Sequence, residues 1–177
     1  MKYGLLSLLV VGAAACHSPA RKAFAGRLGE SNYDKERVPG PASQGLIGDF
    51  YLRNDVVRAV IQAPGRAMGP CPWGGNLIDL DLAVNPAGDQ LGEVSPFLAL
   101  GRTVNFTDVH VEKDGSDGGA AVIVATGEDA VDDFINIYGL GGFTVAALSK
   151  ALRPTLPLKL QVTATYTLAP GDSFIRV

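Results

Sequence analysis

The stretch Leu158 to Leu168, LKLQVTATYTL, constrains this chain more than any other. Leu158, Leu160, Val162, Ala164, Tyr166 and Leu168 fall on one side of a period of two. Lys159, Gln161, Thr163, Thr165 and Thr167 fall on the other. Side chains alternate across a strand, so this pattern predicts a half-buried antiparallel strand with one wet face. The same period recurs upstream. Residues 46–62 read as two short strands around an Asn54-Asp55 turn, since both residues tolerate turn backbone angles. Residues 103–126 read as a long hairpin with a Gly- and Asp-rich tip at 113–119. In NLIDLDLAVN, Ile78, Leu80, Leu82 and Val84 form one face, expected to be core. Leu77, Asp79, Asp81 and Ala83 form the other. The expected fold is therefore all-β, an antiparallel β-sandwich with one or two short helices. Helix candidates are a stretch around residues 20–28, the start of GEDAVDDFINIYGLGG, where Glu128 and Asp129 suit a helix N-terminus, and residues 143–152. A loop leading into a strand at 134–138 is the alternative for the second.

The chain begins differently. Lys2 precedes an uncharged, mostly apolar run from Gly4 to Ala15. That run falls short of the roughly 20 residues a helix needs to cross a bilayer and matches the apolar part of a secretory signal. Small residues at Ala13, Ala14 and Ala15 lead directly to Cys16. The arrangement resembles a bacterial lipobox, with Ala13 where Leu is most usual. The resemblance implies cleavage before Cys16, acylation of its thiol (palmitate among the chains), and anchorage in the cell envelope. His17 is not an acidic inner-membrane retention residue, which leans to the outer membrane. If Cys16 is not acylated, a secreted or periplasmic protein is expected. A Cys16–Cys71 disulfide is the rival to acylation, and burial would protect the Cys71 thiol. The expected organisation is a signal over residues 1–15, a flexible tether over 16–44, and a β-sandwich over 45–177 that is truncated at its C-terminus.

Fifteen Lys and Arg against 18 Asp and Glu, scattered along the chain, leave a net charge of −3. No basic footprint for a nucleic-acid backbone is present, so no nucleic-acid partner is expected.

The segments GDFYLRNDVVRAVIQAPG, WGGNLIDLDLAVN and LQVTATYTLAPGDSFIRV together resemble the opening strands of a β-sandwich near the front of large secreted bacterial lipoproteins. In outline this is similar to the mutarotase-like supersandwich of carbohydrate-active proteins. The resemblance implies that further domains follow, in some members a metal-dependent hydrolase. No diagnostic catalytic motif matches, so no catalytic residue is carried over.

Candidate chemistry is sparse. Asp79 and Asp81 share a strand face, about 6–7 Å apart from twice the rise per residue. With Asn76 they could line a Ca²⁺ site or a polar ligand cleft, or form a solvated face. KDGSDGG lacks the spacing of a calcium loop and reads as a hairpin tip. His110 alternates with Asp108 and Glu112, a trio able to move protons near neutrality. Trp73, in a Pro- and Gly-rich loop, offers a ring for stacking on a sugar, and Arg66 a planar fork beside it. GLGG at 139–142 fails the dinucleotide fingerprint. Ligand-binding candidates are thus Arg66, Trp73, Asp79, Asp81 and His110, with no catalytic residue, no metal ligand and no cofactor assigned. The expected function is a lipid-anchored extracytoplasmic module with a scaffold or ligand-binding role. Its partners are the membrane, polysaccharide, or downstream domains of the same protein. The alternatives are a carbohydrate-active enzyme domain, or a presentation domain for a downstream metal-dependent hydrolase.

Overall fold

The computed structural model describes residues 21–66, 71–98, 102–131 and 159–177. It is an all-β fold of two antiparallel sheets in a sandwich-like arrangement with one short helix. The first sheet joins β1 (Phe24–Arg27), β2 (Phe50–Arg53), β3 (Val57–Ile61) and β4 (Leu77–Leu82) in that order. The second joins β5 (Arg102–Lys113), β6 (Ala121–Val131) and β7 (Gln161–Leu168). The helix, α1 (Tyr33–Glu36), is a single turn.

Alternation places the core between the sheets. Phe50, Leu52, Val57, Ala59 and Ile61 from the first sheet meet Val104, Phe106, Val109, Ala121, Ile123, Ala125, Tyr166 and Leu168 from the second. Burial of each larger side chain contributes about 1.5–3 kcal/mol. The Tyr166 hydroxyl satisfies itself by donating to the Gly75 carbonyl at 2.8 Å. Gly75 has φ 73°, and a Cβ there would lie 2.5 Å from the Phe106 ring. Only glycine lets the two sheets approach so closely at this point.

The turn at Asn54, the long β5–β6 hairpin and the β7 strand lie where the alternation predicts. Three expectations change. First, residues 21–44 are not a tether. β1 pairs along β2 from Phe24↔Arg53 to Arg27↔Phe50, and Ala23, Leu28 and Val38 are buried. The helix expected around 20–28 is this strand. Leu28 and Val38 pack with Val60 and Ile78 on the outer face of the first sheet, beside Tyr33 and Tyr51. The segment 28–49 is therefore a strap across that face. It offers too few alternating residues to declare itself in sequence.

Second, Gly127 to Val131 continue β6 rather than opening a helix. Asp129 is buried there against Arg102. The remainder of that helix candidate, and residues 143–152, lie outside the described residues.

Third, the faces of β4 are reversed in burial. Asp79 is 0% and Asp81 8% exposed, whereas Leu80, Leu82 and Val84 are 36%, 47% and 66% exposed. β4 is an edge strand of its sheet; Leu77 at its start reaches the core, while Leu80 and Leu82 point inward past its margin. The aspartates lie under the strap instead.

Candidate functional site

Four buried aspartates surround the strap and the loop after β4, and each accepts backbone amides from the strap, the loops or the free edge of β4. Asp79 accepts the Gln44 amide on Oδ1 at 2.8 Å and the Gly45 amide on Oδ2 at 2.9 Å. A Cβ on Gly45 would lie 2.7 Å from that Oδ2, so the strap can descend onto the carboxylate only with glycine here. Asp81 accepts the amides of Leu82, Ala87 and Gly88 at 2.7, 3.1 and 2.9 Å. Asp89 accepts those of Leu80 and Leu91, both at 3.1 Å. Its own backbone exchanges bonds with the strap at Pro39 and Ala42. Asp49 accepts the amides of Leu46 and Ala63, each at 2.8 Å, and pairs with Arg66.

These carboxylates do what an N-cap residue does, satisfying amides that no ladder reaches. The Asp79 and Asp89 carboxyl groups also face each other. Burial, then the adjacent Asp89, push the Asp79 carboxyl up to about 6 against the pull of the two strap amides. One Asp89 oxygen, Oδ2, is buried without a donor among the described residues.

The sequence candidates therefore divide. Arg66 and Asp79 are brought together through the strap: the Arg66 guanidinium donates to the Gln44 carbonyl at 3.4 Å, and the next amides meet Asp79. Asp81 follows two residues along the same strand. Trp73 is half-buried in the loop beyond β3, where its carbonyl accepts the Gly65 amide at 3.4 Å. Cys71, in the same loop, is buried with its Sγ 3.3 Å from the Thr103 hydroxyl. His110 stands apart, on the other sheet. Its Nδ1 is 2.6 Å from Asp108 and its Nε2 is 3.5 Å from Glu112. The trio does share one face, as its spacing predicts. That face is open, with the His110 side chain 46% exposed. The bond to Asp108, then the charges of both acids, raise the imidazole above its usual value.

Among the described residues no second element walls the trio, so they do not enclose a substrate there. An open hollow of about 460 Å³ runs along residues 111–117 at the hairpin tip. Among the described residues no group of three or more His, Cys, Asp or Glu could hold a metal. No helix among them is long and apolar enough to cross a membrane.

Sequence reasoning missed Asp49 and Asp89. Both follow a glycine (Gly48 and Gly88) with positive φ, and Gly-Asp pairs in loops are the signal that would have found them.

No family model, curated protein or solved structure matches this chain.

Proposed function

We propose that this chain is a lipid-anchored, extracytoplasmic β-sandwich scaffold, acylated at Cys16 and tied to the outer membrane of a cell envelope. The observation that carries the reading is the short apolar Gly4–Ala15 run ending at Cys16, with packed structure starting a few residues later, at Ala23. A signal removed before Cys16 leaves a compact body on a very short leash. Several acyl chains, each methylene contributing about 0.8 kcal/mol, hold such a body firmly.

Of the scaffold and ligand-binding roles, the scaffold fits the side chains better. Asp79 and Asp81, which would line a polar cleft, spend their oxygens on backbone amides. His110 lies on β5, whereas Arg66 and Trp73 lie in the loop that joins β3 to β4 of the other sheet. Converging polar groups are what a sugar-processing site needs, and these five do not converge.

Growth with labelled fatty acid tests the anchor. Label is expected on the wild-type chain and none on Cys16→Ser; a wild-type chain without label overturns the reading. Glycan arrays test the role. No retention is expected, and retention abolished by Trp73→Ala would replace the scaffold with a carbohydrate-binding module.

A further inference from the structure

The leash is too short to allow free tumbling. Had residues 16–44 been a tether, the sandwich could present any side to the membrane. With β1 folded, Arg21 follows Cys16 by only five positions. Fully extended, five residues reach about 17 Å. β5 alone, with 12 residues, is about 40 Å long. A link of that reach cannot carry the chain around the body, so the end where Arg21 emerges must stay near the lipid.

That end is well defined. Asn54 accepts the amides of Val56 and Val57, closing its own turn, and donates to the carbonyls of Ala169 and Asp172 at 2.9 and 2.8 Å. One buried side chain thus fastens a turn of each sheet to the other. The hairpin tip joins them: the Ala25 amide donates to the Asp114 carbonyl at 3.1 Å. Arg21 itself pairs with Asp55 at 3.3 Å. The 83–84 stretch lies alongside, held by the Ala83 amide on the Val56 carbonyl at 2.8 Å. β3 runs away from this end, so the Trp73 loop and the Asp49–Ala63 contact belong to the opposite one.

We propose that the Arg21 end of the sandwich lies against the phospholipid bilayer surface. Its turns at 54–56 and 169–172 and its hairpin tip face the headgroups, and the Trp73 end points away. This placement rests on acylation of Cys16. The headgroup layer is about 5–8 Å deep on each side of the hydrocarbon, so the link leaves Arg21 no more than about 12 Å beyond it. Two acids at this end are paired with cations, Asp55 with Arg21 and Asp172 with Arg176, while Asp114 and Asp117 stay charged and exposed, accepting the amides of Ser116 and Gly119 at 2.9 and 2.8 Å. Lys22 and Lys113 are exposed there to meet phosphates.

The test uses the full acylated chain in phosphatidylethanolamine and phosphatidylglycerol vesicles that contain a lipid with a nitroxide headgroup. A fluorophore is attached at Asp117→Cys, Val84→Cys or Ile47→Cys, since Cys71 is buried. Quenching several-fold stronger at positions 117 and 84 than at 47 is expected. An insertion of about twenty Gly and Ser residues after Pro19, spanning about 25 Å on average, should level the three. Equal or reversed quenching in the chain without the insertion, with an acyl mass confirmed on Cys16, overturns the placement alone. A chain whose mass shows no acyl group on Cys16 overturns the proposed anchor, and the placement with it.

Discussion

Two sets of carboxylates separate the two sheets. On the first sheet Asp49, Asp79, Asp81 and Asp89 are buried and ringed by backbone amides. On the second, Asp108 and Glu112 flank His110 on an open face, more than half exposed. The difference lies in what covers each sheet. β5 pairs with β6 along its length and, as an edge strand, turns its other side and its acids Asp108 and Glu112 to solvent. The strap over the first sheet is irregular and buried, and its amides have no ladder. An aspartate beneath it is the shortest side chain that can supply two acceptors at once. The same residue type is thus structural cement under the strap and solvated charge on β5, while Asp129 on β6, buried against Arg102 and accepting the Leu160 amide at 2.7 Å, is cement on the second sheet as well.

The largest effect is expected where a buried acid serves amides and a cation together. Asp49→Ala strips acceptors from Leu46 and Ala63 and leaves the Arg66 guanidinium without its partner. Breaking such a pair from one side costs about 3–5 kcal/mol, and urea denaturation should show at least the lower figure. A loss below about 1 kcal/mol would mean that the strap does not depend on this acid. The contrast between the sheets would then collapse.

Next comes the Asp79–Asp89 pair. The Asp79 carboxyl is raised from 3.8 to about 6 in the folded protein. Its proton is therefore held more tightly folded than unfolded, so the associated stability is full below pH 3.8 and is lost as pH rises through 6. A shift of about two units corresponds to roughly 3 kcal/mol. Denaturation across pH 4 to 8 should show this decline in the wild type, and a flatter profile in Asp79→Asn. Parallel profiles would place the proton elsewhere.

Legibility in the sequence followed the same divide. β7 was readable because Tyr166 and Leu168 bury one face while Thr165 and Gln161 keep the other wet. Period two and burial agree there. In β4 the period holds from Asp79 to Leu82 but breaks at 77–78, where a bulge puts Leu77 in the core between the sheets and Ile78 under the strap. Alternation separates Leu80 and Leu82 from Asp79 and Asp81, but it cannot say which side another segment covers. The cover is the strap, 30 to 40 residues upstream, recognisable only once Gly45 and Gln44 are seen to meet Asp79. β1 was lost for a related reason. Four residues, FAGR, carry no period of their own, and Phe24 to Arg27 become a strand only because β2 offers an edge. The His110 trio was legible because its members sit two apart on one strand. Its isolation was not, because that depends on what other chain passes nearby.

The smallest effect sharpens the comparison most. The imidazole of His110 is also raised, by Asp108 first, and the sign is the same as for Asp79. The contribution is full below the usual imidazole value of 6.5 and fades as pH rises through the elevated one. The two pH dependences share a direction but fall in adjacent windows, Asp79 between 3.8 and about 6 and His110 above 6.5. Salt separates them, because exposed charges are screened within about 3 Å at 1 M ionic strength whereas buried ones are screened far less. Asp108→Asn should change stability by no more than about 0.5 kcal/mol, and 1 M NaCl should remove even that. The Asp79 profile should survive the salt with little change. If salt instead flattened the Asp79 profile and spared the His110 one, the buried and open acids would have been assigned to the wrong sheets.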